Sequence, residues 1–128
     1  MLRMCKIVAF AATVDAARAR AFYEGVLGLN FISDDEFALV FDAHGVELRI
    51  QKVTSLTPQP HTQLGWSVSS IDKIVRELCA KGVTFEKYPF LHQDESGIWA
   101  AASGAKVAWF KDPDGNLLSL TERQEKPP

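Results

Sequence analysis

One pattern is written twice in this chain, and it limits the possible folds more than any other feature. Ala19, Phe22, Tyr23, Val26 and Leu27 fall at i, i+3, i+4, i+7 and i+8, the spacing of one apolar helix face, and Gly28 closes the run. Ile71, Ile74, Val75, Leu78 and Cys79 repeat the spacing, with Gly82 at the end. The second helix is announced by Ser69-Ser70-Ile71-Asp72, where a serine and an acid three residues later suit a capping box. Cys79 falls on the predicted core face, where a free cysteine acts as a small hydrophobe.

Each helix is flanked by strand-like runs. Lys6 to Thr13 and Gln63 to Val68 precede the helices, and Leu29-Asn30-Phe31 and Val83-Thr84-Phe85 follow them. Each half then ends in a hairpin, FALVFDAHGVELRIQ in the first and VAWFKDPDGNLLSLT in the second, with Asp42 matching Asp112 and Gly45 matching Gly115. In the second turn Asp112 opens, Pro113 presets φ, Asp114 tolerates the bridge region and Gly115 supplies φ > 0. The order is therefore βαβββ, twice, in modules 1–53 and 61–123. A Pro- and Thr-rich linker at 54–60 joins them, and a polar tail at 124–128 closes the chain. The fold class is α+β. A helix covers one face of each sheet, so the other face needs a partner or a ligand, and two such sheets side by side are expected to form a shared curved trough.

Composition narrows the partners. The chain has 128 residues, 47% of them hydrophobic, enough for a single domain with one core. A formal net charge of −2, with basic residues dispersed, offers no stripe for nucleic acid and no polybasic segment for a membrane. The apolar run from Ile7 to Val14 is read as the first strand rather than as a secretory core. Cys5 and Cys79 form no CxxC spacing and no disulfide framework, which suits a reducing compartment, and the reading is cytoplasmic.

TVDAARARAFYEGVLGLNF (13–31), VSSIDKIVRELCAKGVTF (68–85) and KVAWFKDPDGNLLSL (106–120) resemble the vicinal oxygen chelate superfamily, which includes glyoxalase I, bleomycin- and fosfomycin-resistance proteins and extradiol dioxygenases. The resemblance implies the glyoxalase/bleomycin-resistance fold, a homodimer and a small-molecule ligand. Most members of that family hold a divalent metal through His, Gln or Glu from strands of both halves. The matching positions are Val8, Arg49, Gln63 and Ser119. Only Gln63 has a ligand's chemistry, and Arg49 places a permanent cation where the metal would sit. No metal or cofactor is therefore expected.

Among candidate binding residues, Glu47, Arg49 and Gln51 share one face of a strand whose other face is Val46, Leu48 and Ile50. Arg49 either grips an anionic ligand with its planar fork or pairs with Glu47. Gln63 and Ser119 are hydrogen-bonding candidates. The long stretch between Phe85 and Val107 reads as a flap, with Tyr88 and Trp99 as ligand-facing aromatics. His44 reads as an exposed turn residue and His61 as a loop residue, and His92-Gln93-Asp94-Glu95 lacks the support that a local metal site needs. The leading reading is a protein that binds a small organic molecule, anionic if Arg49 grips it, in a metal-free cleft, as a sequestering protein or a metal-independent enzyme. The alternative is a metal-dependent lyase, isomerase or dioxygenase with a shifted site that recruits Gln63, Glu47 or His61. A third is a small structural or regulatory dimer without a ligand.

Overall fold

The computed structural model describes residues 1–124. From residue 125 the expected polar tail lies outside the described residues. The chain forms two compact units. One comprises Met1–Gln59 with Asp112–Asn116, and the other comprises Pro60–Lys111 with the chain from Leu117 onward.

In the first unit the order is β1 (Val8–Thr13), α1 (Ala16–Arg20), β2 (Asn30–Asp34), β3 (Ala38–Ala43) and β4 (Val46–Lys52). The sheet order is β1-β4-β3-β2, with β1 parallel to β4 and the other pairs antiparallel. Asp15 caps α1 by accepting from the Arg18 N–H at 3.1 Å. The helix does not keep the regular 3.6-residue spacing predicted for it. From Ala21 to Val26 it widens into a π-helical turn, seen in the bond from the Leu27 N–H to the Phe22 carbonyl at 2.9 Å. Widening rotates the later side chains, so Ala19, Phe22 and Tyr23 are buried while Val26 and Leu27 are only half-buried. Gly28, at φ 74, ends the turn. Under this helix lie Ala11, Leu39, Phe41, Leu48 and Ile50, with Phe41 packed against Tyr23 and Phe31 at ring separations of 5.9 and 5.7 Å.

The second unit runs β5 (Leu64–Ser67), α2 (Ile71–Ala80), β6 (Trp99–Ala100), β7 (Lys106–Lys111) and β8 (Leu117–Glu122), in sheet order β5-β8-β7-β6. The same order of elements occurs in each unit, so the chain is two tandem βαβββ modules. Ile71, Val75 and Leu78 are buried on α2. Three details differ from the sequence reading. Ser70 is the N-cap but its hydroxyl makes no capping bond, and the Ile71 N–H donates instead to Glu122 Oε1 at 2.9 Å. Cys79 is exposed, because the buried stripe passes through Leu78 and the next residue turns away by about 100°. Val83-Thr84-Phe85 forms no strand beyond one bridge from Phe85 to Phe110, and the fourth strand is Trp99–Ala100, drawn from the segment read as a flap. Gln93 explains the last change. Its amide donates to the carbonyls of Glu86 and Gly97 at 2.9 and 2.8 Å and accepts from the Tyr88 N–H at 2.7 Å, taking up backbone groups that a longer strand would use.

The Asp112–Asn116 turn is built into the first unit. Gly115 sits at φ 91 and donates to the Asp112 carbonyl at 2.9 Å, as its residue pattern predicts. The buried Asp112 carboxylate accepts from the N–H groups of Asp114 and Asn116, from the Asn116 amide at 2.8 Å and from the Tyr23 hydroxyl at 2.6 Å. Burial, with the charge of Asp112, raises the Tyr23 phenol far above its ordinary range.

Candidate functional site

Strand parity decides which side chains face away from each helix. In the first unit the row Val8–Glu47–Asp42 crosses β1, β4 and β3, followed by Phe10–Arg49–Val40 and Ala12–Gln51–Ala38. Glu47, Arg49 and Gln51, expected on one face from their alternation, are brought together there with Val8, which the family resemblance singled out. Arg49 is held by Glu47, Nη1 to Oε2 at 3.3 Å, so the pair that the sequence left open is formed. Both members are partly exposed, and such a pair is worth little in stability.

Beside Val8 and Glu47 lies an open cleft of about 360 Å³ lined by Lys6, Ile7, Val8, Ile32, Val40, Phe41, Asp42, Gly45 and Glu47. Its walls are mainly aliphatic, with one ammonium and two carboxylates available to a ligand's polar groups. Asp42 spends one oxygen on the Gly45 N–H at 3.0 Å. Sequence reasoning missed Lys6, Ile7 and Ile32. Lys6 and Ile7 precede β1 and carry no alternation of their own, and Ile32 sits at the register shift of β2 between Phe31 and Ser33. Val40 was within reach, since it sits opposite Arg49 and shares its parity.

In the second unit the corresponding row is Gly65–Ser119–Trp109, and Ser67–Thr121–Val107–Trp99 runs beside it. Ser119 is 8% exposed. A methyl group at position 65 would stand 2.8 Å from Ser119 Oγ, so the glycine there makes room for the hydroxyl. Gln63 lies one residue before β5, exposed, with its N–H donating to the Leu117 carbonyl at 2.7 Å. Trp109 is 6.2 Å from Trp99 and 5.6 Å from Tyr88 between ring centres, and Tyr88 is 5.5 Å from Phe90. Tyr88 and Trp99, proposed from sequence, thus meet on this face. Trp109 and Phe90 were missed, although Trp109 shares the parity of Val107 and lies opposite Ser119. Burial and the nearby Glu86 charge raise the Tyr88 phenol.

The loop that carries Tyr88 and Phe90 is ordered from within. Besides Gln93, Asp94 accepts from the Ser96 N–H and hydroxyl and from the Ile98 N–H at 2.8 to 3.0 Å. Burial pushes the Asp94 carboxyl up, but the hydrogen bonds from Ile98, Ser96 and Gly97 outweigh it and hold it below the usual range. His44, His61 and His92 are all exposed, His44 in the first hairpin turn at φ 51.

A family model described as Glyoxalase/Bleomycin resistance protein/Dioxygenase superfamily matches residues 6–120. The chain belongs to that superfamily. Solved structures agree on the fold. A glyoxalase family protein from Bacillus anthracis superposes with a TM-score of 0.73 at 19% identity, covering 97% of this chain and 100% of its own. The fosfomycin resistance protein of Listeria monocytogenes gives 0.72 at 16%, covering 92% of each chain, and lactoylglutathione lyase from Agrobacterium tumefaciens gives 0.67 at 17%, covering 91% of this chain and 92% of its own. No match was found among curated proteins.

Membership in the glyoxalase/bleomycin resistance/dioxygenase superfamily raises the question of a metal, and of the four matching positions only Gln63 has a ligand's chemistry. Val8 has no lone pair to offer, Arg49 is a cation already paired with Glu47, and Ser119 offers a buried neutral hydroxyl. Among the described residues no group of three His, Cys, Asp or Glu side chains is placed to hold an ion. These residues do not fit a divalent cation. No helix among the described residues is long and apolar enough to cross a membrane.

Proposed function

We propose that this superfamily member binds a small organic molecule in a metal-free cleft, as a sequestering protein or as an enzyme that works without a metal. The observation that carries the reading is the 360 Å³ cleft of the first unit, whose aliphatic walls start at Val8, where the family resemblance places a metal ligand. An apolar wall at that point gains free energy by desolvating a ligand's carbon skeleton, at roughly 25 cal/mol per Å² of apolar area removed from water. Lys6 supplies a cation for an anionic group, while Asp42 and Glu47 supply acceptors. Gln51 and Arg49 extend the same face; within the second unit taken by itself, Gln63 and Ser119 are hydrogen-bonding candidates. Cys5 and Cys79 are both free thiols, which suits the cytoplasm, and the family resemblance favours a homodimer.

Two titrations test the reading. Calorimetry of chelator-treated protein with Ni²⁺, Zn²⁺, Mn²⁺ and anaerobic Fe²⁺ is expected to show no stoichiometric site; one ion per chain, lost in Glu47→Gln or Gln63→Ala, would establish the metal-dependent alternative. A small-molecule fragment set followed by methyl NMR is expected to shift Val8, Ile32 and Val40 together. A set that leaves all three still would remove the cleft as a binding site.

A further inference from the structure

The second unit carries a feature that the cleft does not explain. Trp99, Trp109, Tyr88 and Phe90 form one continuous run of rings, each 5.5 to 6.2 Å from the next, on the face of the sheet away from α2. Phe90 is 78% exposed, although its loop is fastened by Gln93 and Asp94. A phenylalanine held in water by an ordered loop, next to three half-exposed aromatic rings, is placed at a cost that burial in the chain does not offset. Alongside the rings Lys111 Nζ lies 3.5 Å from Glu86 Oε1.

Trp99 and Trp109 are tilted by 33° to each other, and Tyr88 stands at 83° to Trp109; the faces of such rings are electron-rich and attract flat electron-poor rings and cations. Their rotamer freedom is already low, so little entropy is lost when a ring stacks on them. The geometry points to an aromatic platform for a flat, electron-poor, cationic ring system, with the Trp99–Trp109 pair as its base and Phe90 as its edge. This deepens the proposed function, because it names the ligand class, and it rests on that reading only in requiring that the protein bind a small organic molecule.

The chain has three tryptophans, and therefore three indole N–H signals in an NMR spectrum. Trp66 pairs with Leu120 on the face toward α2 and serves as an internal control. Titration of the full chain with N-methylquinolinium is expected to move the Trp99 and Trp109 signals and leave Trp66 in place. Tetramethylammonium, with the same charge and no ring, is expected to move them only at much higher concentration. Phe90→Ala, at an exposed position whose loss does not threaten folding, is expected to weaken quinolinium binding about fivefold, the scale of one aromatic contact. Equal binding of the two cations, a shift at Trp66 with the others, or unchanged affinity in Phe90→Ala would overturn the platform. If quinolinium leaves Trp99 and Trp109 still while fragments shift the methyl groups of Val8 and Ile32, the platform falls and the cleft stands. If neither responds, both fall.

Discussion

The two modules fill the same row of the sheet in opposite ways. In the first unit the row reads Phe10–Arg49–Val40, and in the second Gly65–Ser119–Trp109. Bulk comes from the first strand of one module and from the third strand of the other, while the strand between them carries a paired cation in one case and a buried hydroxyl in the other. A repeated backbone therefore repeats the covered face under each helix, where packing requires it, and leaves the opposite face free to diverge. The turns differ in the same manner. Asp42 and Asp112 match in position, yet Asp42 receives the Gly45 N–H while Asp112 is buried under four donor contacts.

The turns offer the largest test of that contrast. Asp112→Ala strips the acceptor from the Tyr23 hydroxyl, the Asn116 amide and two backbone N–H groups, and is expected to cost about 3 kcal/mol or more in urea unfolding, as expected for loss of a buried charged hydrogen-bond hub. Asp42→Ala is expected to cost under about 1 kcal/mol. Equal losses would mean that the two turns are alike in energy despite their burial.

Next in size is the row itself. Gly65→Ala places a methyl group against Ser119 Oγ and forces the hydroxyl to move, for an expected loss of about 1 kcal/mol. In a Ser119→Ala background the same change is expected to cost measurably less, which a double-mutant cycle reads directly. Additive effects would show that the glycine does not serve the serine.

The last test reads the Tyr23 phenol against Asp112 at neutral and at high pH. The Tyr23 phenol is raised in the folded chain above its usual value of 10.0, so the stability it contributes is complete below about pH 10 and is lost as pH rises beyond that toward the folded value. Tyr23→Phe is expected to abolish that component of the alkaline limb, at a loss near neutral pH of about 1 to 2 kcal/mol for the hydrogen bond to Asp112. An alkaline limb unchanged in Tyr23→Phe would show that the buried phenol is not its source.

Much of the fold was legible because its signals are local. The stripes Ala19-Phe22-Tyr23 and Ile71-Val75-Leu78 have to be buried, and the alternation of Glu47, Arg49 and Gln51 with Leu48 and Ile50 can satisfy only one face at a time. The strand expected at Val83–Phe85 was illegible in the same terms. Its residues favour a strand, but the bonds that Gln93 makes to Glu86, Tyr88 and Gly97 come from a side chain several residues away, and they moved the fourth strand to Trp99–Ala100. The cap of α2 failed for a similar reason, since Glu122 is 51 residues from Ile71.

For the site the division is the same. Periodicity by itself determined the order βαβββ twice and the polar face of β4, because each depends on residue type and spacing along one element, while the poverty of metal donors at Val8, Arg49, Gln63 and Ser119 is what the family resemblance implies for those positions. Only the tertiary structure decided that Arg49 is held by Glu47, that Lys6, Ile7 and Ile32 close a cleft around Val8, and that Trp109 joins Trp99, Tyr88 and Phe90. Those outcomes depend on which distant side chains reach the same few ångströms, a property of packing that no single stretch of sequence carries.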